Sequence, residues 1–173
     1  MANTYKAIAT TTVGAGGAAN IEFTSIPGSY TDLIVLYSLR SNRNSTIDQI
    51  KFEFNGVTTN LSSLTLYSDG SGRSSDSVAS LLIGWGLPGD TATANTFGNG
   101  YIYIPNYAGS NYKSASIDGV DENKAIGVNS AQAGFSAGLW SNISAITSIK
   151  MLLNVGTLFK QHSTATLYGI KNS

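Results

Sequence analysis

Ile50-Lys51-Phe52-Glu53-Phe54-Asn55-Gly56 decides the fold class. Side chains along a strand switch sides at every residue, so Ile50, Phe52 and Phe54 share one face and Lys51 and Glu53 the other. That is the pattern of a half-buried strand. Asn55-Gly56 is the dipeptide that best tolerates positive φ at both centres of a tight turn, which predicts a hairpin into a strand over 58–67.

The same period of two recurs on both sides of this stretch. Leu33, Val35, Tyr37 and Leu39 share one face, with Ile34 and Leu36 behind them, so the run reads as a central strand apolar on both sides. Tyr101-Ile102-Tyr103-Ile104 is a strand stopped by Pro105. Ile149, Met151 and Leu153 alternate with Lys150 and Leu152, and Ala165 and Leu167 with Thr164, Thr166 and Tyr168. Further strands are expected at Tyr5–Thr12, Ile21–Phe23, 78–85, 113–120 and 133–140. The Ser/Gly run 68–77 reads as a long surface loop, and 130–137 is the best short helix candidate. Many strands separated by Gly, Pro, Asn and Asp clusters predict an all-β protein. The expectation is a single domain, 1–173, folded as a jelly-roll-like antiparallel β-sandwich of about eight to ten strands.

Composition narrows the function. Charged residues make up 12% of the chain and the formal net charge is zero, so a basic face for nucleic acid is not expected. No segment approaches the roughly 18 apolar residues of a membrane-spanning helix. The first residues, Met1-Ala2-Asn3-Thr4-Tyr5-Lys6, lack the basic start and apolar run of a signal peptide. Ser, Thr, Asn and Gly make up 74 of the 173 residues, a turn- and strand-favouring composition that keeps the surface neutral but polar. Nucleic acid and membrane are therefore not expected partners.

Chemistry is hard to build from these residues. Cysteine is absent and His162 is the one histidine, so a triad or zinc site would have to centre on it, and no G-x-S-x-G is present. His162 reads as an exposed residue entering the last strand. The carboxylates Asp69, Asp76, Asp90, Asp118, Asp121 and Glu122 fall in turn-rich text, where Asp is expected for local hydrogen bonds. Asp118-Gly119-Val120-Asp121-Glu122-Asn123 does not match a calcium loop. No catalytic residue, metal or cofactor is expected. Trp85 and Trp140, each close to glycine, read as core residues. Tyr107 and Tyr112, with Asn106 and Asn111, sit in a polar loop after Pro105 and form the candidate contact site for a partner or a glycan.

Several stretches, taken together, resemble a family of small structural proteins of tailed bacteriophages, common in cyanophages and marine phage genomes. They are Tyr5-Lys6-Ala7-Ile8-Ala9-Thr10-Thr11-Thr12-Val13-Gly14, Phe23-Thr24-Ser25-Ile26-Pro27-Gly28-Ser29-Tyr30-Thr31-Asp32-Leu33, Thr93-Ala94-Asn95-Thr96-Phe97-Gly98, and Tyr101-Ile102-Tyr103-Ile104-Pro105-Asn106-Tyr107. Near the end come Gly138-Leu139-Trp140, Ala145-Ile146-Thr147-Ser148-Ile149 and Thr166-Leu167-Tyr168-Gly169-Ile170. The resemblance implies a virion protein with a jelly-roll-like sandwich and brings no catalytic residues with it. With no stem or shaft in the sequence, the expected role is a non-enzymatic capsid decoration (cement) protein. It would be made in the host cytoplasm, act on the outer surface of the virion and bind the phage major capsid protein. The alternative is a tail-fibre or receptor-binding tip that recognises host glycan. Strands poor in charge at both ends of the chain, Tyr5–Thr12 with only Lys6 and 163–170 with none, suggest open edges and a homotrimer.

Overall fold

Period-two alternation becomes twelve β-strands and no helix among the described residues, which are 4–69, 71–123 and 131–171 of a computed structural model. In chain order they are β1 (Tyr5–Thr12), β2 (Ile21–Phe23), β3 (Asp32–Leu39), β4 (Ile47–Phe54), β5 (Leu61–Ser68) and β6 (Arg73–Ala79). The second half supplies β7 (Leu82–Pro88), β8 (Gly98–Ile104), β9 (Lys113–Asp121), β10 (Gln132–Trp140), β11 (Ile149–Leu153) and β12 (Thr164–Ile170). The larger sheet runs β1-β12-β3-β8-β9-β10-β5-β6 and the smaller β2-β11-β4-β7.

The pairing is nested. β1 pairs with β12, β2 with β11, β3 with β8 and β4 with β7, all antiparallel. β12 also pairs with β3, and β11 with β4. Eight strands paired outside-in and rolled into two four-stranded layers are a jelly roll. Two hairpins are added to it, β5-β6 between β4 and β7 and β9-β10 between β8 and β11. Both join the same edge of one layer and double its width. They account for the strands beyond the expected eight to ten.

The core lies between the layers. Leu33, Val35, Tyr37 and Leu39 of β3, Ile102 and Ile104 of β8 and Leu167 of β12 face Ile50, Phe52 and Phe54 of β4 and Ile149, Met151 and Leu153 of β11. Ring contacts tie the layers together: Tyr37 to Phe52 with centroids 6.2 Å apart, and Phe54 edge-on to Trp140 at 5.7 Å. Trp85 is also buried and stacks on Tyr67 at 3.8 Å. Both tryptophans are therefore core residues, as their sequence context suggested.

Five expectations need correction. Asn55 and Gly56 do adopt φ of 54° and 68°, and Val57 N–H donates to Phe54 O at 3.0 Å. The ladder stops there, because β4 takes its partners from β7 and β11 and the chain crosses into the other sheet to form β5. The turn is local chemistry, whereas the partner is chosen by burial of Phe52 and Phe54. The single strand expected at 78–85 is two, broken at Ser80 with φ of 124°, where the chain leaves the larger sheet for the smaller. The 68–77 segment is a hairpin rather than a loop: Asp69 Oδ1 accepts from the amides of Ser71 and Gly72, and β6 begins at Arg73. Where a helix was a candidate, Gln132 onward is β10, and 124–130 lies outside the described residues. The terminal strands also differ in status: β1 is an open edge, but β12 lies between β1 and β3.

Buried tyrosines give the fold a pH limit. Tyr37, fully inside, donates its hydroxyl to Asp118 O at 3.3 Å, and burial, then the Asp118 charge, raises its pKa far above the tyrosine range. Burial also raises Tyr103, with its bond to Asp32 adding to the shift, and Tyr107. A raised folded pKa contributes stability that is intact below the unfolded value of about 10 and is lost as pH climbs past it. Lys113 acts oppositely: burial lowers its pKa, so its contribution rises with pH in a window ending near about 10.5. Three tyrosines oppose one lysine. The urea midpoint should fall above about pH 10, and Tyr37→Phe should flatten the fall. A midpoint that holds or rises to pH 11.5 would contradict this account.

Candidate interaction surface

The alternation that fills the core leaves the opposite side of the larger sheet facing out. One continuous register crosses all eight strands on that side: Thr10, Thr166, Leu36, Tyr101, Asp118, Phe135, Leu66 and Ser75. A parallel row runs Ala7, Tyr168, Ile34, Tyr103, Ser116, Ala137, Leu64 and Ser77. Ile34 and Leu36, expected to be buried behind β3, lie here, and Leu36 is exposed. β3 is central in its sheet, but only one of its faces has a layer over it.

The apolar groups gather on the added strands. Leu64 and Leu66 of β5 are 59% and 60% exposed, and Phe135 of β10, directly opposite Leu66, is 46% exposed. Leu139 and Val120 flank them. On the outward side of the eight strands the charged residues are Asp32, Asp118 and Arg73, and Asp32 is buried against Tyr103 Oη at 2.9 Å. Contiguous apolar exposure of this kind marks an interaction surface. Eight strands separated by ~4.8 Å and about six residues at ~3.3 Å span roughly 34 by 20 Å, on the scale of the ~800 Å² each partner gives to a standard interface.

The loop expected to carry the contacts is divided by the structure. Tyr107 is fully buried: its hydroxyl donates to Pro27 O and accepts from the Tyr30 amide at 3.4 Å. Its ring is closed off from a glycan, because the loop needs an apolar plug to seal the end of the sandwich next to Ile104. Tyr112 is 58% exposed and continues the outward alternation of β9. Asn106 and Asn111 are exposed, with Asn106 N–H bonded to Asp32 Oδ1 at 3.0 Å and Asn111 Nδ2 to Tyr112 O at 2.8 Å. Lys113, fully buried, donates its Nζ to Gly109 O at 2.7 Å and to Asn111 O, which fixes the loop's shape. Tyr112 thus joins the outer face, and Tyr107 leaves the candidate set.

The remaining polar candidates are placed without converging. Asp118 and Asp121 both lie on β9 but on opposite sides. Asp121 is buried, burial raises its pKa, and it accepts from the Gln132 amide at 2.6 Å. Among the described residues no three His, Asp or Glu side chains gather as a metal site, and no helix is long and apolar enough to cross a membrane. Sequence reasoning missed the outer face because Leu64, Leu66 and Phe135 each have an ordinary strand context. Only the cross-strand register brings them together. No protein-family model, curated protein or solved structure matches the chain.

Proposed function

We propose that this is a non-enzymatic structural protein of a tailed-phage virion, a decoration (cement) protein that docks on the major capsid protein through the outer face of its larger sheet. The observation that carries the reading is that face: wide, nearly free of charge, and apolar where Leu64, Leu66 and Phe135 meet. A binder of this kind works by area, with many copies each adding modest contact and the lattice multiplying it. Low charge suits dense packing, because like-charged neighbours would repel. The resemblance of the sequence to small phage structural proteins supplies the identity of the partner. The open edges β1 and β6 offer unpaired backbone through which copies could associate, as a homotrimer on the capsid surface.

Leu66→Lys and Phe135→Lys place charges on this face without touching the core. Each should leave the thermal midpoint nearly unchanged, because substitutions on exposed positions cost little. Each should abolish co-sedimentation with capsids that lack the protein. Quantification in purified virions should find hundreds of copies. Tens of copies or fewer would move the protein to the tail, where exposed Tyr112 would serve as a glycan contact. Undiminished capsid binding by both variants would remove the docking face.

A further inference from the structure

At the opposite end of the sandwich from Tyr112, where β3 and β7 end and β8 and β12 begin, lies an open cleft of about 350 Å³. It is lined by Arg40, Asp90, Asn95, Phe97, Lys160 and His162, among others. Its volume falls within the range typical of small-ligand sites, roughly 300–1,000 Å³. We propose that this cleft binds an acidic saccharide, one sugar unit's carboxylate at the cationic side and a ring face on Phe97. The proposal stands apart from the docking face and does not depend on it.

Charge is the first ground. Arg40 is buried, and its guanidinium donates to the carbonyl oxygens of Asp90 (3.4 Å), Ala92 (2.9 Å), Thr93 (2.8 Å) and Thr96 (2.9 Å), and to Thr96 Oγ1 (3.1 Å). None of these partners is a carboxylate. The one acid lining the cleft, Asp90, is held by Lys160 at 2.6 Å. Arg40 and Lys160 against Asp90 leave one net positive charge with His162 neutral, in a protein whose total is zero. A desolvated cation without a carboxylate partner raises the local potential, which favours an anion from solvent.

Shape is the second. Four carbonyls converging on one guanidinium fix the loop 90–97 in place, so the site exists before the ligand arrives, and less ordering cost attends binding. Asn95 and His162, both on the rim, hold φ of 63° and 73°, unusual for residues other than glycine. They add an amide and an imidazole to the lining that Lys160 shares. Phe97 is part-exposed in the cleft wall and gives an apolar plate among polar groups. Donors, an anion-attracting charge and one aromatic face are what a carboxylated sugar needs, whereas a bare inorganic anion has no use for the ring.

Calorimetry on the whole protein with a galacturonate oligosaccharide, against an uncharged galactose oligosaccharide of equal length, tests this. The acidic sugar should bind at least about tenfold more tightly, and added salt should weaken it. Lys160→Met, which takes the cleft from one positive charge to none, should weaken binding about five- to tenfold, and Asp90→Asn, which takes it to two, should tighten it. Opposite signs from two variants of one ion pair cannot arise from misfolding. Phe97→Ala should weaken the oligosaccharide while leaving acetate unaffected. Equal affinity for acidic and neutral sugars, acetate competing as well as the oligosaccharide, or both ion-pair variants shifting affinity the same way would each overturn the proposal.

Discussion

Gly98→Ala should yield little or no folded protein. Gly98 opens β8 opposite Leu39, and a Cβ there would overlap the carbonyl oxygen of Gly86, with Pro88 Cδ only 2.9 Å away. Neither neighbour is a flexible side-chain end. Gly86 and Pro88 are held by β7, whose Pro88 carbonyl also accepts from the Ser41 amide at 2.9 Å, so relief means moving a whole strand. Gly119 in β9 meets the same constraint from Trp85 O. Here β7 lies backbone to backbone against the larger sheet, all of its residues buried, and only hydrogen fits between. Overpacking a core costs about 1–3 kcal/mol where side chains can shift, and this clash against backbone belongs at or beyond the upper end. Gly28→Ala is the control, because nothing lies within 4 Å of its added Cβ. That variant should unfold at nearly the wild-type temperature. If the two alanine variants prove equally stable, the close approach of β7 is wrong.

How far the sequence carries depends on which residues are asked. Lys51 and Glu53 between Ile50, Phe52 and Phe54 place β4 and its buried face, and Lys150 and Leu152 do the same for β11, because alternation is a property of the strand alone. Boundaries were equally plain where a turn residue stands, as at Pro105 after β8. Pairing was not readable, since a strand's partner depends on which distant apolar face completes its layer. Asn55-Gly56 shows the division: the residues turn the chain as their backbone preferences require, yet the strands on either side belong to different sheets. Ser74, Ser75 and Ser77 of β6 carry almost no strand signal and fold as one because β5 offers an edge.

The surfaces were less legible than the fold for a related reason. Tyr107 and Tyr112 have nearly the same polar neighbours in sequence, but one plugs the sandwich and the other points away from it. The outer apolar patch needs three strands in register to exist. The cleft needs Arg40 from the end of β3, Phe97 from before β8 and Lys160 from before β12, which are separated by 57 and 63 positions in the chain. Arg40 gave no sign of its role, because a buried arginine satisfied by four peptide carbonyls leaves no motif.

Phe52→Ala and Phe135→Ala make the same chemical change and should give opposite results. Phe52 is 1% exposed, lies between Met151 and Leu82 in the smaller sheet, and meets the ring of Tyr37 across the core. Removing its ring leaves a cavity that neighbours held in two sheets cannot fill, and losses for buried Phe→Ala run at about 3–5 kcal/mol. For a chain of this length that amounts to roughly 6–20 °C in the unfolding midpoint. Phe135 stands on the outer face of β10, 46% exposed between Leu66 and Asp118, so its truncation opens no cavity between the layers. Its stability should change by no more than about 0.5 kcal/mol, while capsid binding should weaken. The inward face is identified by Phe52 and the docking face by Phe135, so the pair tests both assignments in one pair of melting curves and one sedimentation assay. A large loss of stability at Phe135, or a small one at Phe52, would mean that the larger sheet is covered on the side described here as open.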